Sequence, residues 1–424
     1  MASHESPPTT SLPPELYDEV LEHLPRKVLL QVAQSSRSLR QASTRILYRD
    51  VCLHDTYLIT RCFETLIEND TAAQSVRKLA LTIHDQEPLP PQYLRHLQAG
   101  FARVSQNVTD LCIMAEYRDI FASITVKFPQ LRYLASSQRI SSGLLSFLRS
   151  HRSLAHIELY NSADCPMIYF AEPLDLPRLE HIYGPARLVE AVVPGAPVCA
   201  IGIAPSSFDP YDSGMERRVI SAIAHSHVRV TSLTFWYPLR VQDVLLGISQ
   251  WLRDLEELNF HGVPLWDGNL PVLLGGIQLV LQQCHSLRKI ELTANHPPSP
   301  MLDSVKYEHE LLIAWSKIQP SLEVAFLPTG LWWAKTKMNG SWIPVVTSIR
   351  ALEMGPGREW WLQNAVSIPE LTAIMYTLAE RGSLRFAEFL QSNFWGNTTW
   401  KKDTVVADFV GSRNHPLDPY SISR

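Results

Sequence analysis

The chain has 424 residues, 46% of them hydrophobic and 19% charged, with 38 Lys and Arg against 42 Asp and Glu for a formal net charge of -4. That length exceeds what one hydrophobic core serves, so several domains or an elongated repeat array is expected. The charge balance gives no support to nucleic-acid binding, and no run of 18 apolar residues marks a membrane-spanning helix.

Residues 1–11 are short, polar and rich in Pro, Ser and Thr, which reads as a disordered tail. They lack the basic and apolar regions of a secretory signal, so a cytoplasmic or nuclear protein is expected. Cys52, Cys62, Cys112, Cys165, Cys199 and Cys284 stand far apart, with no CxxC and no His pair at zinc spacing, and read as reduced core thiols.

Residues 12–53 parse into three short helices. Pro13 and Pro14 suit a first helical turn, and Glu15, Asp18 and Glu19 follow at the positive end of its dipole. Leu16, Val20, Leu21 and Leu24 fall on one face, and Pro25 ends the run. A second helix begins near Arg26 with Val28, Leu29, Val32 and Ala33. The third carries Leu39, Ala42, Ile46 and Leu47 inward, with Arg37, Arg40, Arg45 and Arg49 outward. Some forty residues sit at the limit below which a chain rarely folds alone, and these stripes hold more apolar surface than three short helices can share. Part of it is expected to meet another protein.

Beyond Leu53 a motif recurs, apolar-x-x-apolar-x-apolar, which enters as a bend and leaves as a strand. It starts at Val76, Val108, Leu131, Leu154, Leu179, Val198, Val230, Leu255, Leu287, Leu322 and Ile349, at steps of 19 to 35 residues. Helix-like segments fill most intervals, among them YLRHLQAGFARV, SGLLSFLRSH, MERRVISAIAHS, VQDVLLGISQWL and YEHELLIAWSKI. Strand and helix alternating at such a period predict a parallel solenoid over 54–355. Residues 356–424 leave the pattern, hold Trp360, Trp361, Trp395 and Trp400, and read as a terminal cap.

The first segment resembles the F-box. LPPEL at Leu12 to Leu16, VLEHLP at Val20 to Pro25, LLQVA at Leu29 to Ala33 and LY at Leu47 and Tyr48 follow that family's order and spacing. Ser35 and Leu39 depart from it, standing where Val or Cys and an aromatic are frequent. The downstream repeats resemble, more loosely, the leucine-rich arrays many F-box proteins carry, although the Asn that usually follows the strand is mostly missing. The fold so implied is α/β: a short three-helix F-box, then an irregular leucine-rich-repeat-like solenoid with a parallel sheet on one face and helices on the other.

The resemblance implies docking onto a Skp-type adaptor and through it a cullin ubiquitin ligase, with Leu12, Pro13, Leu16, Val20, Leu29 and Leu30 at the contact. The chain would be the substrate receptor of that ligase and not itself an enzyme; the alternative is a leucine-rich-repeat scaffold with no ligase connection. If the repeat leucines point inward, the residues between them form an exposed row. Asp110, His156, Glu158, Tyr160, His181, Tyr183, Trp236, Asn259, His261 and Glu291 fall in it, a mixture suited to reading an unknown target protein.

Signals for chemistry are poor. GPGREW at Gly355 lacks the spacing of a phosphate loop, and neither G-x-S-x-G nor H-E-x-x-H occurs. His225 and His227 lack a third metal ligand nearby in sequence. No cofactor, no metal, no nucleic acid and no membrane is expected.

Overall fold

The computed structural model describes residues 14–83, 91–115, 119–160, 174–204, 214–238, 240–263, 270–294, 305–328, 331–335 and 340–345. By compactness the chain divides into two units between Leu255 and Glu256.

The first unit opens with α1 (Pro14–Glu22), α2 (Arg26–Ser35) and α3 (Arg37–Leu47). Pro25 leads directly into α2, and Ser36 separates the next pair, its hydroxyl capping α3 by accepting from the Leu39 N–H at 3.2 Å. Among the described residues of this trio the fully buried apolar core is Leu21, Leu29 and Ala42, flanked by the half-buried Tyr17, Leu24, Val32, Leu39, Ile46 and Leu47. Asp18 of α1 takes a two-pronged ion pair from Arg45 of α3, at 3.0 and 2.7 Å, and Glu22 pairs with Arg49.

The chain then enters β1 (Asp50–Leu53), α4 (Thr56–Glu68), α5 (Asp70–Ser75), β2 (Lys78–Ile83), α6 (Pro91–Val104), β3 (Asp110–Ala115), β4 (Tyr133–Ser136), α7 (Ser142–Ser150), β5 (His156–Leu159), β6 (His181–Gly184), α8 (Ala186–Val192), β7 (Ala200–Ile203), α9 (Met215–Ala224), β8 (Ser232–Trp236) and α10 (Val241–Trp251). From β1 to β8 each strand pairs parallel with the next in sequence. One register row runs Asp50, Lys78, Asp110, Tyr133, His156, His181, Ala200, Ser232 without a slip.

The recurring motif has a direct physical meaning. Its first apolar residue, from Val76 to Val230, is buried just before the strand, and the fourth and sixth, such as Leu79 with Leu81, Leu111 with Ile113 and Ile157 with Leu159, are buried within it. Each step is also locked by main-chain bonds in which one carbonyl accepts from two successive amides of the next repeat. Arg77 serves Thr109 and Asp110, Thr109 serves Arg132 and Tyr133, Arg132 serves Ala155 and His156, and Ala155 serves Glu180 and His181. The carbonyl of Arg49 does the same for Arg77 and Lys78, so the stack begins at the end of α3. Beneath the buried rungs α4 packs on α6, α8 on α9 and α9 on α10. Phe63, Phe101, Phe128 and Phe147 form a chain of ring contacts at 5.6, 5.9 and 6.1 Å.

The second unit contains β9 (Glu257–Val263), α11 (Leu270–Gln283), β10 (Lys289–Ala294), α12 (Val305–Ile318), β11 (Val324–Phe326), β12 (Trp332–Lys335) and β13 (Trp342–Val345). Strands β9, β10 and β11 are parallel and repeat the carbonyl sharing, Glu256 serving Arg288 and Lys289, and Arg288 serving Glu323 and Val324. From β11 onward the sheet turns antiparallel. The reason is length: Leu327 to Leu331 can turn a chain back, whereas a parallel return needs a dozen residues or more. Trp333 and Trp342 bury their rings there, their indole N–H groups donating to Glu308 at 3.0 Å and to Ser316 at 2.5 Å.

The alternation of strand and helix follows the sequence reading, and three features correct its detail. The elements β1, α4, α5, α8, β12 and β13 fall outside the expected strands and helices, the sheet is mostly rather than wholly parallel, and of the described cysteines only Cys284 is buried. Cys52 lies exposed on β1, and no disulfide forms among the described residues. The motif at Ile349 and the cap at 356–424 lie outside the described residues.

Candidate functional site

Two surfaces stand out. On the amino-terminal trio the apolar residues divide into an inner and an outer set. Tyr17 and Leu21 of α1, with Leu24 just beyond it, face the trio's core, while Leu16 and Val20, one turn apart, are 41% and 63% exposed. In α2, Leu29 is only 4% exposed, yet its neighbours Val28 and Leu30 lie open to solvent. The expected single face on α1 is therefore two faces. Of the residues expected at a partner, Leu16, Val20 and Leu30 are on the outside, Leu29 holds the helices together, and Leu12 and Pro13 lie outside the described residues. A core of three residues leaves these side chains no place inside. Residues 10–48 match the family model described as F-box domain.

The amino-terminal trio is an F-box. Among curated proteins none matches the chain. The F-box is seated on the repeats through α3, which packs against α5 and β1.

The second surface is the open face of the sheet. In the first unit it centres on Glu158 of β5. One carboxylate oxygen is 2.9 Å from His156 Nε2; the other accepts from the Tyr133 hydroxyl at 3.0 Å and from the Tyr160 hydroxyl. Burial would raise this carboxyl's pKa, but the hydrogen bonds from His156, Tyr160 and Tyr133 and the imidazole's field outweigh it, so the net shift is downward and Glu158 stays ionised. Its charge acts back on its neighbours. Burial and the adjacent carboxylate both push the Tyr133 and Tyr160 hydroxyls up.

The rings continue across the strands in register. His156 meets Tyr133 edge-on at 4.9 Å and stacks on His181 at 5.1 Å, and Tyr160 tilts against Tyr183 at 5.4 Å. Burial, then repulsion from His156, lowers the pKa of His181 and keeps it neutral. Cys112, next to this group, is pushed up to about 11, chiefly by burial, and is no nucleophile at neutral pH. Trp236 is half-buried at the end of β8.

In the second unit, Asn259, Glu291, Phe326 and Trp332 share one register row. Asn259 is buried and offers little surface. Lys289 Nζ lies 3.7 Å from Glu291, 4.0 Å from Glu257 and 5.5 Å over the Trp332 ring. His261 stays in step with Asn259, two residues before it, and the ladder slips just beyond because β9 carries one extra residue there: Phe260 pairs with Leu292 but Val263 with Ala294, and Gly262 takes the positive φ of 68° that the bulge demands. Its Nδ1 is 3.6 Å from Glu291, and burial holds its pKa down.

Of the residues expected in one row, the structure brings His156, Glu158, Tyr160, His181 and Tyr183 into one connected group, with Trp236 on the same unit and Asn259 and His261 on the other. The sequence reading missed Tyr133, Lys289 and Trp332. Tyr133 was accessible, since it holds in LRYLAS the motif position that His156 holds in LAHIEL. Among the described residues no three His, Cys, Asp or Glu side chains gather to hold a metal ion. His225 is occupied locally, its Nδ1 2.7 Å from the Ser221 carbonyl.

Proposed function

We propose that the chain is the substrate-recognition subunit of a Skp/cullin/F-box ubiquitin ligase. The F-box docks a Skp-type adaptor through Leu16, Val20 and Leu30, with Leu12 and Pro13 joining them by family resemblance, and the open sheet face holds a target protein. The subunit performs no chemistry. It raises the effective concentration of target lysines beside the conjugating enzyme, in the cytoplasm or nucleus. No described helix is long and apolar enough to cross a membrane.

The observation that carries this reading is the open leucine and valine surface of a segment that matches the F-box and has a core of three residues. A pull-down with purified adaptor tests it. Wild-type chain binds, and Leu16→Asp loses at least about a hundredfold in affinity, because the contact would bury an unpaired carboxylate at a cost of several kcal/mol. Equal retention of both proteins would refute the docking.

A second reading, a non-ligase repeat scaffold capped by its helical start, draws on the packing of α3 against α5 and β1. The same pull-down separates the two. A cap needs no outward leucines, so under this reading even the wild type leaves the adaptor in solution.

A further inference from the structure

Strands β3 to β8 contain no Lys or Arg; their acidic residues are Asp110 and Glu158. Between those strands the open face is a run of rings, Tyr133, His156, His181, Tyr160 and Tyr183, joined through the Glu158 carboxylate. Beside it the sheet is bare, Ala200 and Gly202 following His181 and Tyr183 in register. Bareness there is required, because a Cβ on Gly202 would stand 2.5 Å from the Tyr183 ring, which leans across β7.

Aromatic faces carry negative potential, and a carboxylate offers about four lone-pair positions. Three of those of Glu158 are used, by His156, Tyr133 and Tyr160. An ionised acid, partly exposed rings and the absence of any Lys or Arg from six successive strands make one kind of site. We propose that this platform receives a cationic side chain, arginine before lysine, so that the target is recognised through a basic segment and not a phosphorylated one. The proposal rests on the reading of the sheet face as the target-binding surface. A guanidinium can stack on a tyrosine while donating to the carboxylate, which an ammonium does less well. A phosphoryl group would bring about two negative charges toward Glu158 and Asp110, with no Lys or Arg on these strands to receive them and the His156 imidazole already engaged by Glu158.

Fluorescence anisotropy on the full chain decides the matter, with labelled Gly-Ser peptides carrying arginines, glutamates or phosphoserines. The arginine peptide binds about tenfold tighter than the glutamate peptide, and Glu158→Gln weakens it about fivefold, with the variant's fold confirmed by circular dichroism. Gly202→Ala, which displaces the Tyr183 ring from outside the carboxylate, weakens it as well. Phosphoserine peptide binding as tightly as arginine peptide, or Glu158→Gln leaving affinity unchanged, overturns the proposal. Adaptor retention by the same preparation is scored separately. A chain that holds the adaptor but ignores the arginine peptide sinks the basic-segment reading alone, whereas loss of the adaptor with the peptide still bound sinks the ligase reading alone.

Discussion

His151 shows how one buried side chain ties two elements of the stack. Its Nε2 accepts from the Phe128 N–H at 2.9 Å, and its Nδ1 donates to the Phe147 carbonyl at 2.6 Å, so both nitrogens are committed in the neutral form. Burial is the main cause that lowers its pKa below the ordinary 6.5, the Phe147 bond opposing and Lys127 adding to the shift. An unfolded chain takes up a proton near 6.5 while the folded one does not, so stability is complete above that pH and falls as the pH drops below it toward the folded value. The urea midpoint is therefore expected to decline between pH 7 and 5.5. In His151→Gln that decline is shallower, with a cost at pH 7 of about 1–3 kcal/mol from the weakened Phe128 bond. A variant with the wild-type slope would show that the titration lies elsewhere.

Gln138, just past β4, illustrates the opposite situation. It is 1% exposed, and neither atom of its side-chain amide has a partner among the described residues. Gln138→Met keeps the volume and removes the desolvated amide, so it should raise the urea midpoint by about 1–2 kcal/mol equivalent; a fall would mean that the amide is bonded after all. Neither environment was legible in the sequence. A position in a motif reveals which side of a strand a residue faces, but not which main-chain group of a neighbouring repeat will meet it.

Among the elements, α2 shows where spacing alone fails. Val28, Leu29 and Leu30 are consecutive apolar residues, so helical periodicity cannot choose which one faces in; the choice is made by Leu21 of α1 and Ala42 of α3, which close on Leu29. Leu29→Ala is expected to cost about 2–4 kcal/mol in the F-box and Leu30→Ala less than about 0.5, read by thermal unfolding. Under the proposed docking, Leu30→Ala is expected to weaken adaptor binding in a pull-down while the fold survives. Helix α6 makes a related point at Gly100. A Cβ there would stand 2.7 Å from the ring of Phe63 on α4, itself fully buried and unable to retreat. Gly100→Ala would gain about 1 kcal/mol of helix propensity, yet the overpacking costs about 1–3 kcal/mol, so a net loss of melting temperature is expected.

At the scale of the whole molecule, the strands were legible because one motif carries three buried positions and recurs with few exceptions. Elements outside the motif were not: β1 is four residues with one buried side chain, and the antiparallel β12 and β13 follow from a short connection, not from any change in composition. The open face was legible as a row, whereas its organisation around Glu158 depends on registers between strands about 25 residues apart.

Stack and F-box differ in how fully their elements are enclosed, and the difference has a dynamic consequence. Each central repeat of the first unit buries its motif residues between two neighbours and shares a carbonyl with the next, so opening one strand breaks contacts on both sides. The F-box has a core of three residues and is seated through α3. Hydrogen exchange is therefore expected to be fastest in α1 and α2, intermediate in α3 and slowest from β3 to β7. Addition of a Skp-type adaptor should slow exchange in α1 and α2 selectively, because binding to the folded form alone stabilises it by mass action. If α1 and α2 were already as protected as β5 without any partner, the trio would be self-sufficient, and its outward leucines would need another explanation than a missing second protein.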